Sequence, residues 1–210
     1  MRYLFNELQG LQEPAQVLIV NDGFEDKGRI LEVCNKQNFQ YLQHDSNKGK
    51  GAAVQTGMLN AKGNVCVFTD IDVPYKMQNM LDMIYAVRNG ETEVAIGDRS
   101  LKQSEFYNKT PFYRNAGSRI FSLFVRSFAV RGFKDTQCGL KVFSSDVVPV
   151  LFSTLNIQGF AFDVEILKKC RKNNIVVLKF PVHFRKREAS SVTLVKTLKM
   201  IIDVLKIAVK

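Results

Sequence analysis

The chain has 210 residues, 30 of them Lys or Arg and 20 Asp or Glu, for a formal net charge of +10. Hydrophobic residues make up 46% and charged residues 24%, ordinary proportions for one folded domain. Disordered chains, collagen-like repeats and disulfide miniproteins are thereby excluded. No apolar run reaches the ~18 residues of a spanning helix. Met1 to Pro14 lacks the basic start and apolar stretch of a secretory signal. Cys34, Cys66, Cys138 and Cys170 are widely spaced with no CxxC, so zinc and redox motifs have no support. Without an export signal they read as reduced thiols in a cytosolic setting. His44 and His183 are too few for a histidine metal site.

The first half alternates short apolar runs with amphipathic stretches. Val17–Val20 reads as a buried strand, Asp26–Lys36 as a helix and Phe39–Leu42 as a second strand. Gly51–Ala61 follows as a helix, Val65–Phe68 as a third strand, Met77–Val87 as a helix and Val94–Ile96 as a fourth strand. The second half is less regular. A helix is expected over Arg114–Val130, a loop leading into a short strand over Asp135–Phe143, and a helix over Phe162–Asn173. A strand over Ile175–Val182 and a last helix over Ser191–Lys210 complete the reading. Strands alternating with helices imply an α/β fold with a mainly parallel sheet. Ligands then gather beyond the carboxyl ends of the strands. The segments to examine are Asn21-Asp22-Gly23, Asp45–Gly51, Asp70-Ile71-Asp72 and Gly97-Asp98-Arg99.

Charge is uneven along the chain. Residues 1–100 carry a net −3, residues 101–134 a net +6, residues 135–167 a net −3 and residues 168–210 a net +10. Basic surface at one end attracts phosphate, whether of a nucleotide, a nucleic acid or an anionic membrane. A solvated basic surface that only maintains solubility is the plainer alternative.

Thr69-Asp70-Ile71-Asp72 carries the sharpest chemical signal. Residues two apart on a strand share a face, so two carboxylates at the strand tip can converge on one hard cation. Mg²⁺ is commonly held by one or two carboxylates plus substrate phosphate oxygens. The alternative is a polar turn in which Asp72 caps the next helix. Asn47-Lys48-Gly49-Lys50-Gly51 opens a helix with glycines that permit close approach of an anion to the backbone. It lacks the spacing of a Walker A loop.

Five segments in order then carry a family resemblance: VLIVNDGFED (17–26), NKGKGAAVQTG (47–57), FTDIDVP (68–74), DTQCGLKVF (135–143) and GFAFDVEIL (159–167). Together they resemble family 2 glycosyltransferases of the GT-A fold, a Rossmann-like, three-layer nucleotide-diphospho-sugar transferase architecture. Within the family they are similar to polyprenyl-phosphate sugar synthases, the dolichyl-phosphate glucose and mannose synthases and their bacterial counterparts. The DTQCGLK form is more similar to the glucosyl branch. The resemblance covers roughly residues 15–192.

The resemblance implies a role for each matching residue. Asp70 and Asp72 would hold Mg²⁺ or Mn²⁺ against the donor diphosphate. Asp22 would contact the nucleotide base or ribose, and Lys50 would lie near the nucleotide. Arg99 would face the sugar or the acceptor phosphate. Asp135 and Gln137 would border the sugar pocket, Asp135 as the candidate catalytic carboxylate. Asp163 and Glu165 would lie below the pocket, and Arg185, Arg187 and Ser191 would clamp phosphate. Each has a plainer reading. Asp135 could cap a turn, Asp163 could be a helix N-cap with Glu165 in its first turn, and the arginines could be ordinary surface.

The implied activity is inverting, metal-dependent transfer of a hexose, glucose favoured, from UDP-glucose or GDP-mannose to a polyprenyl or dolichyl phosphate. The site would lie at the cytoplasmic membrane face. Residues 1–190 form the catalytic domain on this reading and residues 191–210 a basic amphipathic helix. Lys196, Lys199, Asp203, Lys206 and Lys210 make one stripe of that helix beside a wide apolar surface, the pattern of an interfacial helix. A last helix packed on the sheet is the alternative. The phenylalanines at 121, 124 and 128 are a second lipid contact or simply core.

One departure stands out. The family begins with a buried strand ending in a Pro-x-Tyr-Asn-Glu-like turn, whereas Arg2–Leu11 reads as the helix after that strand. Without it, backbone groups beside Val17–Val20 are expected to lack partners and the nucleotide pocket to stand open. A fragment, a displaced start and an inactive copy acting as a sugar-nucleotide- or membrane-binding protein are the readings left. Phe24 also stands where the family has Ser. Nucleic-acid binding is not expected, because no motif supports it and the first half is acidic.

Overall fold

Apolar runs bounded by turn residues become strands where the sequence places them, with boundaries shifted by one or two residues. The structure is a computed structural model that describes residues 14–25, 28–105, 132–184 and 194–209. The expected helices at Arg2–Leu11 and Arg114–Val130 lie outside these residues, as do Arg185, Arg187 and Ser191. In chain order the elements are β1 (Leu18–Asn21), α1 (Gly28–Gln37), β2 (Gln40–Gln43), α2 (Lys50–Leu59), β3 (Val65–Thr69), α3 (Met77–Arg88) and β4 (Val94–Gly97). They continue with β5 (Leu140–Ser144), α4 (Val147–Phe152), α5 (Phe162–Lys172), β6 (Val177–Phe180) and α6 (Leu194–Val209). The short α4 was not expected: it spans six residues and contains Pro149, too brief to show a helical period.

Strand pairing is mainly parallel in direction, with one strand reversed and a break between two sheets. β1 pairs with β2 in parallel, and a separate four-stranded sheet has the order β3-β5-β4-β6. β5 runs antiparallel to both β3 and β4, while β4 and β6 are parallel. β3, β4 and β6 thus share one direction with β5 reversed between two of them. Among the described residues β1 bonds only to β2, and β3 only to β5. The break falls beside β1, where the sequence leads one to expect an inner strand. Helix α2 packs against both β1 and β3 and spans the two sheets.

Alternation along the strands sorts side chains into two cores. Cys66, Phe68, Val94, Ile96 and Phe143 face α2, α4, α5 and α6, packing on Met58, Leu151, Phe152, Phe162, Ile166 and Val204. Ala95, Leu140 and Val142 face α3, against Met80, Met83 and Val87. Helices on both faces of a sheet make three layers, and β4 is buried along its whole length as a central strand requires. All four cysteines are reduced and buried, and burial pushes the Cys138 and Cys170 thiols up to about 11 and about 12. They act as small apolar groups in the core.

Helix α6 is docked on the domain rather than standing apart. Met200, Val204 and Ile207 are buried, and Lys168 Nζ donates to the Ile207 carbonyl. Ile202 and Leu205 are exposed on its other side, as is Lys206. The packed alternative thus holds for one face of the helix, and an apolar strip remains outside. Among the described residues no helix is long and apolar enough to cross a membrane.

Candidate active site

The reversal of β5 determines where the site forms. Chain leaving β3 and β4 and chain approaching β5 meet at one edge of the sheet, so Asp70, Arg99 and Asp135 come together although two follow their strands and one precedes its own. Thr69 is paired with Leu140, which brings Asp70 beside Gly139. A Cβ on Gly139 would lie 1.9 Å from Asp70 Oδ2. The glycine of DTQCG therefore makes the hollow that the first aspartate occupies.

The strand ends at Thr69, and Asp70-Ile71-Asp72-Val73 is a turn closed by the Val73 N–H donating to the Asp70 carbonyl at 2.8 Å. The expectation that both carboxylates share a strand face is corrected: a turn, not a pleat, presents them. Asp72 does not cap the next helix, whose N-cap is Lys76. Asp70 Oδ1 receives Lys50 Nζ at 2.6 Å, and both side chains remain partly exposed, 25% and 29%. Ile71, between the two aspartates, is exposed.

The residues present suit a hard divalent ion. Asp70 and Asp72 offer oxygen donors, and the Gly139 hollow seats one of the carboxylates. Among the described residues no group of three or more His, Cys, Asp or Glu is arranged to hold a metal. An ion here would need other oxygens, such as phosphate and water, to complete its shell.

Arg99 and Asp135 form the rigid part of the site. The Arg99 Nε and Nη2 donate to the two oxygens of Asp135 at 2.7 and 2.9 Å, and the Arg99 backbone N–H adds a third bond at 2.9 Å. The Gln137 N–H donates to Asp135 Oδ1, so the carboxylate also closes its own turn. Burial would raise the Asp135 pKa, but the guanidinium and these hydrogen bonds hold it below the usual carboxylate range. Burial likewise opposes the charge of Arg99, and Asp135 more than offsets it. Gln137 Nε2 donates to the Phe160 carbonyl and ties this loop to the one before α5.

The loop before α2 has a different job from the one its glycines suggest. The Lys48 and Gly49 N–H groups donate to Asp22, and those of Gly51 and Ala52 to the Gln158 carbonyl. Gly49 has φ 108°, and a Cβ there or on Gly51 would meet the 157–158 backbone at 2.4–2.5 Å. The glycines admit a neighbouring loop, and these four amides do not form a phosphate cradle. The Lys50 side chain is what the segment offers a ligand.

Asp22 is similarly engaged with the chain itself. Besides the two amides it contacts His44 Nδ1 at 2.7 Å, and His44 Nε2 reaches Thr56 Oγ1 at 2.9 Å. Burial raises its pKa, and His44 with the two amides brings it net below the usual range. Its observed contacts make it the clasp of the 47–49 loop.

Asp163 and Glu165 lie in the first turn of α5, whose N-cap is Ala161. Glu165 accepts from the Asn156 and Ile157 N–H groups and from Asn156 Nδ2, with Lys169 Nζ at 3.3 Å. It braces the loop whose Gln158 carbonyl holds the start of α2. Asp163 is buried and pairs with Lys141 Nζ at 2.7 Å. Burial pushes its pKa up against the pull of Lys141 and Lys50.

Lys141 and His44 are the residues that the sequence reading passed over. Lys141 is 1% exposed, donates to the Cys138 carbonyl at 2.7 Å and lies 5.6 Å from the centre of the Phe68 ring, with Lys50 5.7 Å from the same centre. The signal was present: a lysine inside the apolar run LKVF has to be paired once buried.

The profile described as Glycosyl transferase family 2 matches residues 4–149. The chain belongs to glycosyl transferase family 2. It is 33% identical over 184 residues to the dolichyl-phosphate beta-glucosyltransferase of Dictyostelium discoideum, covering 83% of this chain and 56% of that protein. It is 30% identical over 208 residues to that of Saccharomyces cerevisiae, covering 90% of this chain and 62% of that protein. The chain therefore spans about three fifths of the length of these curated relatives.

Among solved structures, glucosyl-3-phosphoglycerate synthase from Mycobacterium tuberculosis in complex with Mn²⁺, UDP and glucosyl-3-phosphoglycerate matches with a TM-score of 0.66 at 12% identity. That match covers 98% of this chain and 74% of that one. Mannosyl-3-phosphoglycerate synthase from Rubrobacter xylanophilus matches at 0.63 and 16%, covering 99% and 67%. At these identities the likeness is one of fold, and the fold is GT-A.

Proposed function

We propose that this chain is the catalytic domain of an inverting glycosyltransferase that moves glucose from UDP-glucose to a dolichyl or polyprenyl phosphate. The observation that carries the proposal is the convergence, at one sheet edge, of the Asp70 turn with Lys50 and of the Arg99–Asp135 pair. The similarity to dolichyl-phosphate beta-glucosyltransferases supports the sugar and the acceptor class.

The chemistry follows from charge. The acceptor phosphate is already mostly ionised near neutrality, its second pKa being ~6, and needs no strong base. Its oxygen forms a bond to the anomeric carbon as the bond to the nucleoside diphosphate breaks on the opposite side, which inverts that centre. Asp135, held ionised by Arg99, is a poor proton acceptor and keeps Arg99 and the 135–139 loop in place. Lys50 offers an ammonium to the departing diphosphate, where preorganised positive charge is most effective. Mg²⁺ or Mn²⁺ held by Asp70 and Asp72 would neutralise further charge on that leaving group. Arg185, Arg187 and Ser191 are proposed as additional phosphate contacts.

The acceptor is a lipid, and we place the protein peripherally at the cytoplasmic face of a membrane. Exposed Ile202 and Leu205 on α6, within the basic C-terminal stretch, support that placement. The test is a donor screen with UDP-glucose, UDP-galactose and GDP-mannose against a short polyprenyl phosphate, with and without Mn²⁺. Glucosyl-lipid formed from UDP-glucose and lost in Asp70→Asn is the expected result. Tight UDP binding with no product from any donor would refute it and favour the inactive binding protein.

A further inference from the structure

Lys50 and Lys141 flank the same ring, yet their situations are opposite. Lys141 is buried and paired to Asp163 and the Cys138 carbonyl. Lys50 is partly exposed at the first residue of α2, and its ammonium contacts Asp70 Oδ1 at 2.6 Å. Asp70 Oδ2 is backed by Gly139. The oxygen through which Asp70 would meet an incoming cation is thus the one Lys50 already covers. An ammonium and a divalent ion repel strongly at such separations, and Lys50 has a four-carbon stem with which to move.

We propose that Lys50 is a built-in counter-cation of the acidic turn. It neutralises Asp70 in the metal-free protein, must leave Asp70 Oδ1 when a divalent ion binds there, and gains a new direct ion-pair partner when the donor's diphosphate is present. Metal alone breaks the Lys50–Asp70 contact without replacing it. Metal with a nucleoside diphosphate replaces it with an ammonium–phosphate contact. Metal and nucleotide therefore bind cooperatively, and each strengthens the other by the same factor. The inference deepens the proposed function and rests on its reading of Asp70 as a metal ligand.

The experiment measures Mn²⁺ binding by electron paramagnetic resonance in wild-type protein, Lys50→Met, Lys50→Gln and Lys50→Arg, with and without UDP. Asp70→Asn serves as the site control. Lys50→Met and Lys50→Gln should bind Mn²⁺ alone about tenfold more tightly than wild type and lose most of the enhancement by UDP. Lys50→Arg, which keeps the charge, should behave as wild type. Asp70-dependent Mn²⁺ binding that is unchanged or weaker in Lys50→Met and Lys50→Gln would overturn the exchange while leaving the metal site standing. Absence of Asp70-dependent Mn²⁺ binding in every protein would overturn the metal reading, and the exchange with it.

Discussion

The 135–139 loop and the 70–73 turn lie at the same edge of the sheet and each presents an acidic group, but the two are held in opposite ways. Asp135 accepts four hydrogen bonds from Arg99 and Gln137 and is 10% exposed. Among the described residues, Asp70 has Lys50 on one oxygen and a glycine hollow behind the other. A carboxylate satisfied from every side positions its surroundings. One covered by an exchangeable side chain can take a ligand.

Removing each carboxylate is the strongest way to break that comparison. Asp135→Ala removes the hydrogen bonds that Asp135 accepts from Arg99 and Gln137 and should cost about 3 kcal/mol of stability in urea unfolding. Asp70→Asn loses only a partly exposed pair and should cost less than ~1 kcal/mol. Equal costs would end the distinction between a fixed and an exchangeable group. Gly139→Ala comes next, since its Cβ would lie 1.9 Å from Asp70 Oδ2 and push the carboxylate from its seat. It should cost about 1–2 kcal/mol and weaken Mn²⁺ binding severalfold more than it weakens UDP binding measured without metal.

Acid titration sharpens the same contrast with a smaller effect. The folded-state pKa of Asp135 lies below its unfolded value of 3.8, so its contribution is present above pH 3.8 and is lost as pH falls through the folded value. Asp22 and Glu165 are lowered as well and add in the same direction. The urea midpoint of wild type should therefore fall in acid, and its lead over Asp135→Asn should shrink there. A constant lead down to about pH 3 would contradict the linkage. The smallest effect concerns α6, where Val204 is buried and Ile202 exposed. Ile202→Ser with Leu205→Ser should change stability by less than ~0.5 kcal/mol yet reduce binding to anionic vesicles. Undiminished binding would remove the helix from the membrane proposal.

Much of the fold was legible because its signals are local. The runs VLIV, VCVF and VAI announce strands by composition, and Met77–Val87 announces a helix by its period. The family motifs were legible for the same reason. What the sequence did not reveal was direction and partnership. Nothing in LKVFS distinguishes a reversed strand from a parallel one, so the reversal of β5 within a mainly parallel sheet was not foreseen, whereas the break beside β1 was. The glycines of NKGKG suggested a phosphate cradle, whereas their space is filled by the 157–158 backbone. Nor did the sequence reveal that Asp22 accepts the amides of the 48–49 loop and Glu165 those of the 156–157 loop just before its own helix.

The order of elements, the acidic turn after β3 and the lysine that opens α2 were determined by the chain itself, since each depends on neighbours a few residues away. Which charge meets which was decided by tertiary structure. Lys50 and Asp70 are 20 residues apart, and Arg99 and Asp135 are 36 apart. The reversal of β5 between β3 and β4, by setting one loop's start beside two other loops' ends, brings both pairs to one edge of the sheet.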